Sequence, residues 1–491
     1  MLRRSAAPVD PGRGRPGASR ALVWSFANTA AGKFGTLLIS IVIARLLGPE
    51  EFGTYAVALV ALMAVLSVNE LGVSLAIVRW ETDPRRIAGT VTTLSVGASL
   101  LFFAGAWAAT PAFTAAMGAP DATDVVRLML VCVPLNGLVA TAAALLQRDF
   151  QQGRRTAADQ VNTWLGAGIS VALALTGFGA MSLAIGRVVA TVVFSVMLLL
   201  FSPLPLRFGW NREVVRPLLR FGLPLAGASV VVFAVGYSDQ LVVGSLLGAQ
   251  ALGFYVLAFN LASWPVTLLS QPVRAVAPAA FARVQGDLAR MDAGLRAAFR
   301  LLMVVALPAC AFVAGAAVPI VTFVYGAQWA PAALALQWLA LHAALRIAFE
   351  LAYDFLAVRR RSATLFAIQF GWLALLVPAL LIGAGVAGIA GAAIAQLVTA
   401  AVVLVVGYTW ALARAGVRVG ALARTAVLPV IGGAIAGVVA QLLSDVLQPA
   451  LVAALAAGFF ALAVIAAGAA LSRPSIRMLR PRVSVAEEVP A

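Results

Sequence analysis

Charge is what this chain lacks. Of its 491 residues, 11% are Asp, Glu, Lys or Arg and 62% are hydrophobic. A soluble globular chain carries about 25% charged residues, and a single core in water stops growing near ~250–300 residues. Burial in water cannot hide this much apolar surface, so the solvent is lipid. Histidine is nearly missing too. His342 is the only one, which excludes a multi-histidine metal site, and no Ser/His/Asp set or paired metal carboxylates stand out. The single lysine, Lys33, follows no Gly-rich phosphate cradle, so an ATP-driven pump is excluded. The two cysteines, Cys132 and Cys310, lie inside apolar runs. They offer no disulfide framework and read as small buried hydrophobes. The chain is therefore read as a non-enzyme that needs no cofactor.

What is present is a series of long apolar segments separated by short charged stretches, the pattern of an all-α integral membrane protein. A window of about 19 residues picks out fourteen spans: 21–44, 52–78, 87–109, 125–146, 157–177, 180–201, 221–244, 251–272, 301–324, 332–356, 362–383, 386–411, 425–444 and 450–471. Two of the junctions, Gly177–Ala180 and Gly383–Val386, are tight Gly-rich turns. The N-terminal stretch rich in Pro, Gly and Arg reads as a disordered tail, and the first apolar segment as an uncleaved span.

The arginines orient the spans. Of the 35 basic residues, 30 fall in the two tails and the even-numbered connections; the other five are Lys33, Arg45, Arg127, Arg187 and Arg346. The odd-numbered connections carry Glu50, Glu51, Asp121, Asp124 and Asp445 instead. By the positive-inside rule both termini are cytoplasmic, in the cell membrane, and the alternation supports the count of fourteen. The net charge of +16 is thus a cytoplasmic collar facing membrane lipids, and no nucleic-acid partner is needed to explain it.

The chain also repeats itself. "LLGPEEFGTYAVAL" (46–59) and "LLGAQALGFYVLAF" (246–259) share Leu, Leu, Gly, Gly, Tyr and Ala at an offset of 200. One copy opens span 2 and the other span 8. A repeat of six spans returns the chain to the same side, as in parallel-repeat transporters whose lobes rock about a midplane site. The expected organisation is a tail (1–20), a lobe of spans 1–6 (21–217), a lobe of spans 7–12 (218–412), an extra pair (413–472) and a C-terminal tail (473–491). The two turns are expected at equivalent places across a central cavity.

Six stretches in order, "ARLLGPEEFGTYAVAL", "NELGVSLAIVRW", "ALLQRDFQQGRRTAADQ", "ALTGFGAMSLAIGRVV", "SDQLVVGSLLGAQALGFY" and "VYGAQWAPAALALQWLALHAALR", resemble the Wzx-type polysaccharide flippases of the multidrug/oligosaccharidyl-lipid/polysaccharide exporter superfamily. The similarity is greatest to the branch of colanic and teichuronic acid exporters. The resemblance implies two six-helix bundles forming a V. It implies translocation of undecaprenyl-diphosphate-linked oligosaccharide from the inner to the outer leaflet. It also implies work alongside the polymerase and glycosyltransferase machinery of polysaccharide assembly.

Ionisable groups in mid-membrane cost roughly 2.5–3.5 kcal/mol each on insertion scales, so they line cavities or pair with one another. Lys33 lies about 18 Å past Arg20 at ~1.5 Å per residue, and reads as a substrate contact or as half of an ion pair. Arg187, about 10 Å inside span 6 by the same rise, is a second candidate. His342, Arg346, Glu350 and Asp354 recur every fourth residue of span 10, one winding polar stripe that faces either a lumen or a packed neighbour. A diphosphate needs cations, which makes Lys33, Arg187 and Arg346 the substrate-binding candidates. Glu70, Asp239, Glu350 and Asp354 are candidates for ion coupling or ion pairing; Asp159 and Gln160 open span 5.

Two other classes compete with a flippase. A cation-coupled drug antiporter of the same superfamily would use lumen carboxylates such as Glu70, Asp239 and Glu350. A membrane glycosyltransferase or ligase would need a large water-exposed loop. No outer connection here exceeds about fifteen residues, and the longest inner one, near 273–300, reads as an Arg-rich amphipathic stretch.

Overall fold

The computed structural model describes residues 17–69, 72–79, 83–270, 274, 277, 281–282 and 286–472, with side chains from Leu38 onward, Leu404 aside. The tails 1–16 and 473–491, Glu70 and part of the 273–300 connection lie outside the described residues. So does the side chain of Lys33, whose backbone is helical.

The described residues are predominantly helical, with no strand among them. The chain begins with α1 (Gly17–Leu66), α2 (Ser74–Arg79), α3 (Arg85–Ala116), α4 (Thr123–Leu130) and α5 (Cys132–Arg148). It continues through α6 (Gln152–Leu175) and α7 (Ala180–Phe201). An extended linker leads to α8 (Arg212–Pro265), which runs into a π-helical turn, Val266–Ser270. Then come α9 (Leu288–Gly315), α10 (Ala317–Tyr325), α11 (Ala332–Val358) and α12 (Ser362–Thr399). A second π-helical segment, Ala400–Val405, joins α12 to α13 (Val406–Arg414), and α14 (Val419–Val446) and α15 (Ala450–Leu471) complete the chain.

Among the described residues, 10 helices are long and apolar enough to cross a membrane. That is fewer than the fourteen segments read from hydropathy, for identifiable reasons. Three long helices contain backbone that is not helical: α1 at Gly48, α8 at Gly248, and α12 at Ala387 and Gly388. Helix α6 opens on Arg154, Arg155, Asp159 and Gln160, which dilute its apolarity. Apolar span 2 does not run on to residue 78 as one helix. It ends at Leu66, and α2 resumes at Ser74.

The repeat is written in the backbone as well as in the sequence. Gly48 sits at φ 74°, ψ 175° and Gly248 at φ 82°, ψ 178°. Gly179, opening α7, has φ 56°, ψ −140°, and Gly388, inside α12, has φ 57°, ψ −140°. A Cβ clashes at positive φ, so glycine alone makes these corners without strain.

The two repeated turns do not face each other across a cavity. They touch. A Cβ on Gly253 would stand 2.6 Å from the Pro49 carbonyl oxygen and 3.0 Å from the Gly53 Cα, and one on Gly53 would strike the Ala249 carbonyl. Only two bare backbones approach this closely, the logic of small-residue contacts between membrane helices. Fully buried Trp329 seals the seam. Its ring meets Phe52 of the first repeat and Phe254 of the second edge-on, and its Nε1–H donates to the Ala44 carbonyl at 3.1 Å. Arg45 reinforces the closure by donating to the carbonyls of Val324 and Phe323, at the C-terminal end of α10. A cation satisfies orphan carbonyls there and complements the helix dipole.

The last two helices pack on α9 through small residues. Gly433 of α14 lies against Leu307 of α9, and Gly437 against Ala311. The outward faces of α14 and α15 carry exposed Val427, Val438, Leu455 and Phe459, the apolar surface expected of lipid-facing helices.

Candidate functional site

Besides buried Asp292, which pairs with Arg296 and Arg418, two polar clusters stand out in the C-terminal half of the chain. The first is built on α11. Its four-residue spacing stacks Arg346, Glu350 and Asp354 along one face, and the structure adds a partner from elsewhere in the chain, Arg274. The Arg274 guanidinium donates to both oxygens of Asp354, Nε to Oδ2 at 3.2 Å and Nη2 to Oδ1 at 3.4 Å. It also lies 3.9 Å from Oε1 of Glu350. That oxygen accepts from Arg346 Nε at 3.1 Å, while Oε2 accepts from the Ser270 hydroxyl. The result is an alternating ladder, Arg346–Glu350–Arg274–Asp354. The carboxylates are its sheltered rungs, with side chains 16% and 8% exposed, against 46% and 42% for Arg346 and Arg274. Two acids and two bases neutralise each other here. His342, one turn before Arg346, is buried and makes no hydrogen bond among the described residues. With Phe259, Val266 and Leu339 it lines a small crevice that also reaches Arg346.

The second cluster surrounds Asp239, which is 1% exposed. Its Oδ2 accepts from the Tyr255 hydroxyl at 3.0 Å and from Gln396 Nε2 at 2.9 Å, and its Oδ1 accepts from the Gln240 backbone N–H at 2.8 Å. All three donors are neutral. Among the described residues no cation lies within ion-pair distance of this buried carboxylate. The neighbouring Ser238 Oγ and the amide oxygen Oε1 of Gln396 are buried without a hydrogen-bond partner among the described residues. The site thus holds a carboxylate and spare oxygens with no counter-charge.

The first repeat carries the counterpart. Gly179 and Gly388 occupy equivalent corners, and Arg187 and Gln396 each follow their glycine by eight residues. Tyr55 and Tyr255 are likewise matched by the offset of 200. So where the second repeat places Tyr255 and Gln396 beside an acid, the first places Tyr55 and Arg187. Arg187 is close enough to Tyr55 and Cys132 to act on both electrostatically. Its Nε is buried and has no partner among the described residues, and no carboxylate pairs with it there. Two repeat-matched sets of residues thus carry opposite charge: half-buried Arg187 has no carboxylate partner and buried Asp239 no cation partner among the described residues.

The structure therefore joins Arg346, Glu350 and Asp354, keeps Asp239 and Arg187 apart from them, and leaves Glu70 and the Lys33 side chain outside the described residues. Sequence reading assigned Arg274 to the cytoplasmic collar and missed its role in the ladder. It also missed Tyr255 and Gln396. A signal existed for both: Tyr255 is a repeat-matched polar residue, and Gln396 is an amide inside an apolar run.

Residues 42–334, more than half of the chain, match a family described as polysaccharide biosynthesis protein. The succinoglycan biosynthesis transport protein ExoT of Rhizobium meliloti (strain 1021) is 27% identical over 402 residues, 81% of this chain and 80% of that protein. The lipopolysaccharide biosynthesis protein WzxC of Escherichia coli (strain K12) is 22% identical over 369 residues, 75% of each. Among solved structures, the lipid II flippase MurJ in an inward closed conformation superposes with a TM-score of 0.78 at 13% identity, covering 93% of this chain and 100% of that one. An inward-facing multidrug resistance MATE transporter of the MOP superfamily superposes at 0.62 and 17% identity, covering 79% and 96%. The fold is the one these transporters share.

Proposed function

The chain belongs to the polysaccharide biosynthesis protein family, and we propose that it is a secondary, alternating-access flippase of the cytoplasmic membrane. Its substrate in this reading is undecaprenyl-diphosphate-linked oligosaccharide. Two relatives matched over three quarters or more of the chain act in succinoglycan transport and lipopolysaccharide biosynthesis. The observation that carries the mechanism is the opposite charge at the repeat-matched positions, Arg187 with Tyr55 and Asp239 with Tyr255.

In this reading the ten apolar helices become fourteen spans. The breaks at Gly48, Gly248 and Gly388 divide three of them, and α6 is the remaining one. Spans 1–6 and 7–12 form two six-helix lobes, the last two helices form an extra pair, and both termini are cytoplasmic. The seam between Gly53 and Gly253 is then an outer gate, closed here. Arg187 in the first lobe, with Lys33 on α1, meets the diphosphate, and Arg346 meets it from the second lobe. A half-buried cation with no carboxylate partner among the described residues is better satisfied once an anion arrives, so binding of the diphosphate is favoured there. Asp239 supplies the complementary half. A lone buried carboxylate gains from taking up a proton or a small cation, and its release couples the cycle to an ion gradient. The neutral ladder on α11 holds the inner half of the second lobe together. The flipped product passes to the polymerase and glycosyltransferase machinery of polysaccharide assembly.

A second reading has some support. The MATE fold and the lone Asp239 also suit a cation-coupled drug antiporter. One assay separates the two: protein reconstituted in liposomes with a fluorescent undecaprenyl-diphosphate oligosaccharide, comparing wild type with Lys33→Ala and Arg346→Ala. Leaflet exchange in wild type, lost in either variant, is the expected result. Cation-driven uptake of a small drug with no glycan exchange would replace the flippase by the antiporter. Exchange untouched by both substitutions would keep the function and remove those two residues from the site.

A further inference from the structure

The linker between the two repeats has a feature that the transport reading does not use. Residues 202–211, "SPLPLRFGWN", are extended, and they are pinned along the start of α3. The Gly209 carbonyl accepts from the Thr93 hydroxyl at 2.9 Å, the Gly209 N–H reaches the Gly89 carbonyl at 3.2 Å, and the Asn211 N–H donates to Thr90 Oγ1 at 3.1 Å. The contact is backbone to backbone: a Cβ on Gly89 would lie 3.3 Å from the Gly209 Cα. Between this strap, α3, α5 and the end of α7 lies a cavity of about 340 Å³, within the ~300–1,000 Å³ range of small-molecule sites.

Its walls are of three kinds. Ala88, Ala142 and Leu199, with Pro203 and Pro205, make an apolar lining. Thr92 and Thr141 put hydroxyls into it; Thr92 donates to the Ala88 carbonyl, so Thr141 is the donor of the 2.9 Å bond between the two. Arg85 and Arg207 supply the charge. Among the described residues neither guanidinium has an ion-pair or hydrogen-bond partner; Asp83 is the nearby acid, and its carboxylate is engaged by the Arg85 backbone N–H at 3.0 Å. Beside the cavity the strap presents Phe208 and Trp210 outward, 61% and 59% exposed. Aromatic side chains of this kind sit at the level of lipid headgroups.

We propose that this cavity binds one anionic glycerophospholipid. The phosphate would lie between Arg85 and Arg207, and the glycerol and upper acyl chain against the apolar wall. A free phosphate would satisfy the arginines but not the apolar lining or the outward aromatics. A zwitterionic lipid would bring its own cation against the arginines. The orientation argued above only names the leaflet, which is the inner one; the site itself does not depend on the transport reading.

The test is native mass spectrometry of delipidated protein in detergent, with phosphatidylglycerol, phosphatidylcholine or undecaprenyl diphosphate added in turn. One phosphatidylglycerol should be retained per chain, at least about tenfold more tightly than phosphatidylcholine, as expected for charge-assisted contacts. Retention should fall by that factor in R85Q/R207Q and in A88L, which fills the cavity without removing a charge. R86Q, one residue along and outside the cavity, should behave as wild type. Equal retention of phosphatidylcholine, or a loss in R86Q matching that in R85Q/R207Q, would reduce the effect to the general basic collar. One-for-one displacement by undecaprenyl diphosphate would overturn the assignment and place the cavity on the substrate's path. Each readout is binding, so it stands whatever the transport assay shows.

Discussion

Gly53 and Gly253 meet backbone to backbone: a Cβ on Gly253 would lie 3.0 Å from the Gly53 Cα. Two copies of one turn thus form a single seam, related by the repeat and dependent on the absence of side chains from both.

Gly253→Ala should force this seam open. Overpacking of this kind costs about 1–3 kcal/mol, and if the closed state bears the cost, the closed-to-open ratio falls by ~5–150-fold. Cross-linking of cysteine pairs placed across the seam should weaken, while pairs at the opposite end should cross-link more. Unchanged cross-linking at both ends would mean that the seam is not a gate.

Asp239→Asn keeps the shape of the side chain and removes its charge. The variant should fold: the single amide oxygen keeps the Gln240 N–H, and the new NH2 can donate to the Tyr255 hydroxyl oxygen and, after an amide flip, to the Gln396 oxygen. Leaflet exchange at equilibrium should persist in proteoliposomes, and its acceleration by an imposed proton or sodium gradient should vanish. Full gradient response in Asp239→Asn would remove this residue from coupling.

Arg274→Gln strips Asp354 of its described cation partner and leaves Glu350 with Arg346. Arg274 is partly exposed, so the loss should fall between the ~1 kcal/mol of surface pairs and the ~3–5 kcal/mol of buried ones. Asp354→Asn in the same protein should restore part of it. A thermal unfolding series of the two single variants and the double variant measures the coupling directly.

Arg187→Gln should leave stability nearly unchanged, because no described carboxylate depends on this guanidinium. Transport of the diphosphate-linked glycan should drop by about 10–150-fold, the loss of ~1.5–3 kcal/mol expected for one charged contact. Arg187→Lys should recover part of the rate by keeping the charge while losing the fork. Wild-type transport in Arg187→Gln would show that the cation does not meet the substrate.

The α11 stripe was readable before any coordinates, because a four-residue spacing on a helix forces side chains onto one face. Glu350 pairing with Arg346 followed from that alone. Arg274 was not readable: it joins the ladder from 80 residues away in sequence, through a connection whose arginines look alike. Asp239 was recognisable as an acid inside an apolar span, a candidate for ion coupling or for pairing with Lys33, Arg187 or Arg346. Its partners proved to be Tyr255 and the amide of Gln396, which is 157 residues distant. A hydropathy profile contains no such relation.

Composition was sufficient to say that this chain lives in lipid, and the 200-residue offset to say that one turn is written twice. Those properties are sums over local segments, and lipid solvation acts on each segment separately. The meeting of the two turns, the sealing of the seam by Trp329 and the gathering of Tyr255 and Gln396 around Asp239 were decided only in three dimensions. They depend on which backbones can approach to contact, and close packing between distant helices is a property of the pair, absent from either sequence alone.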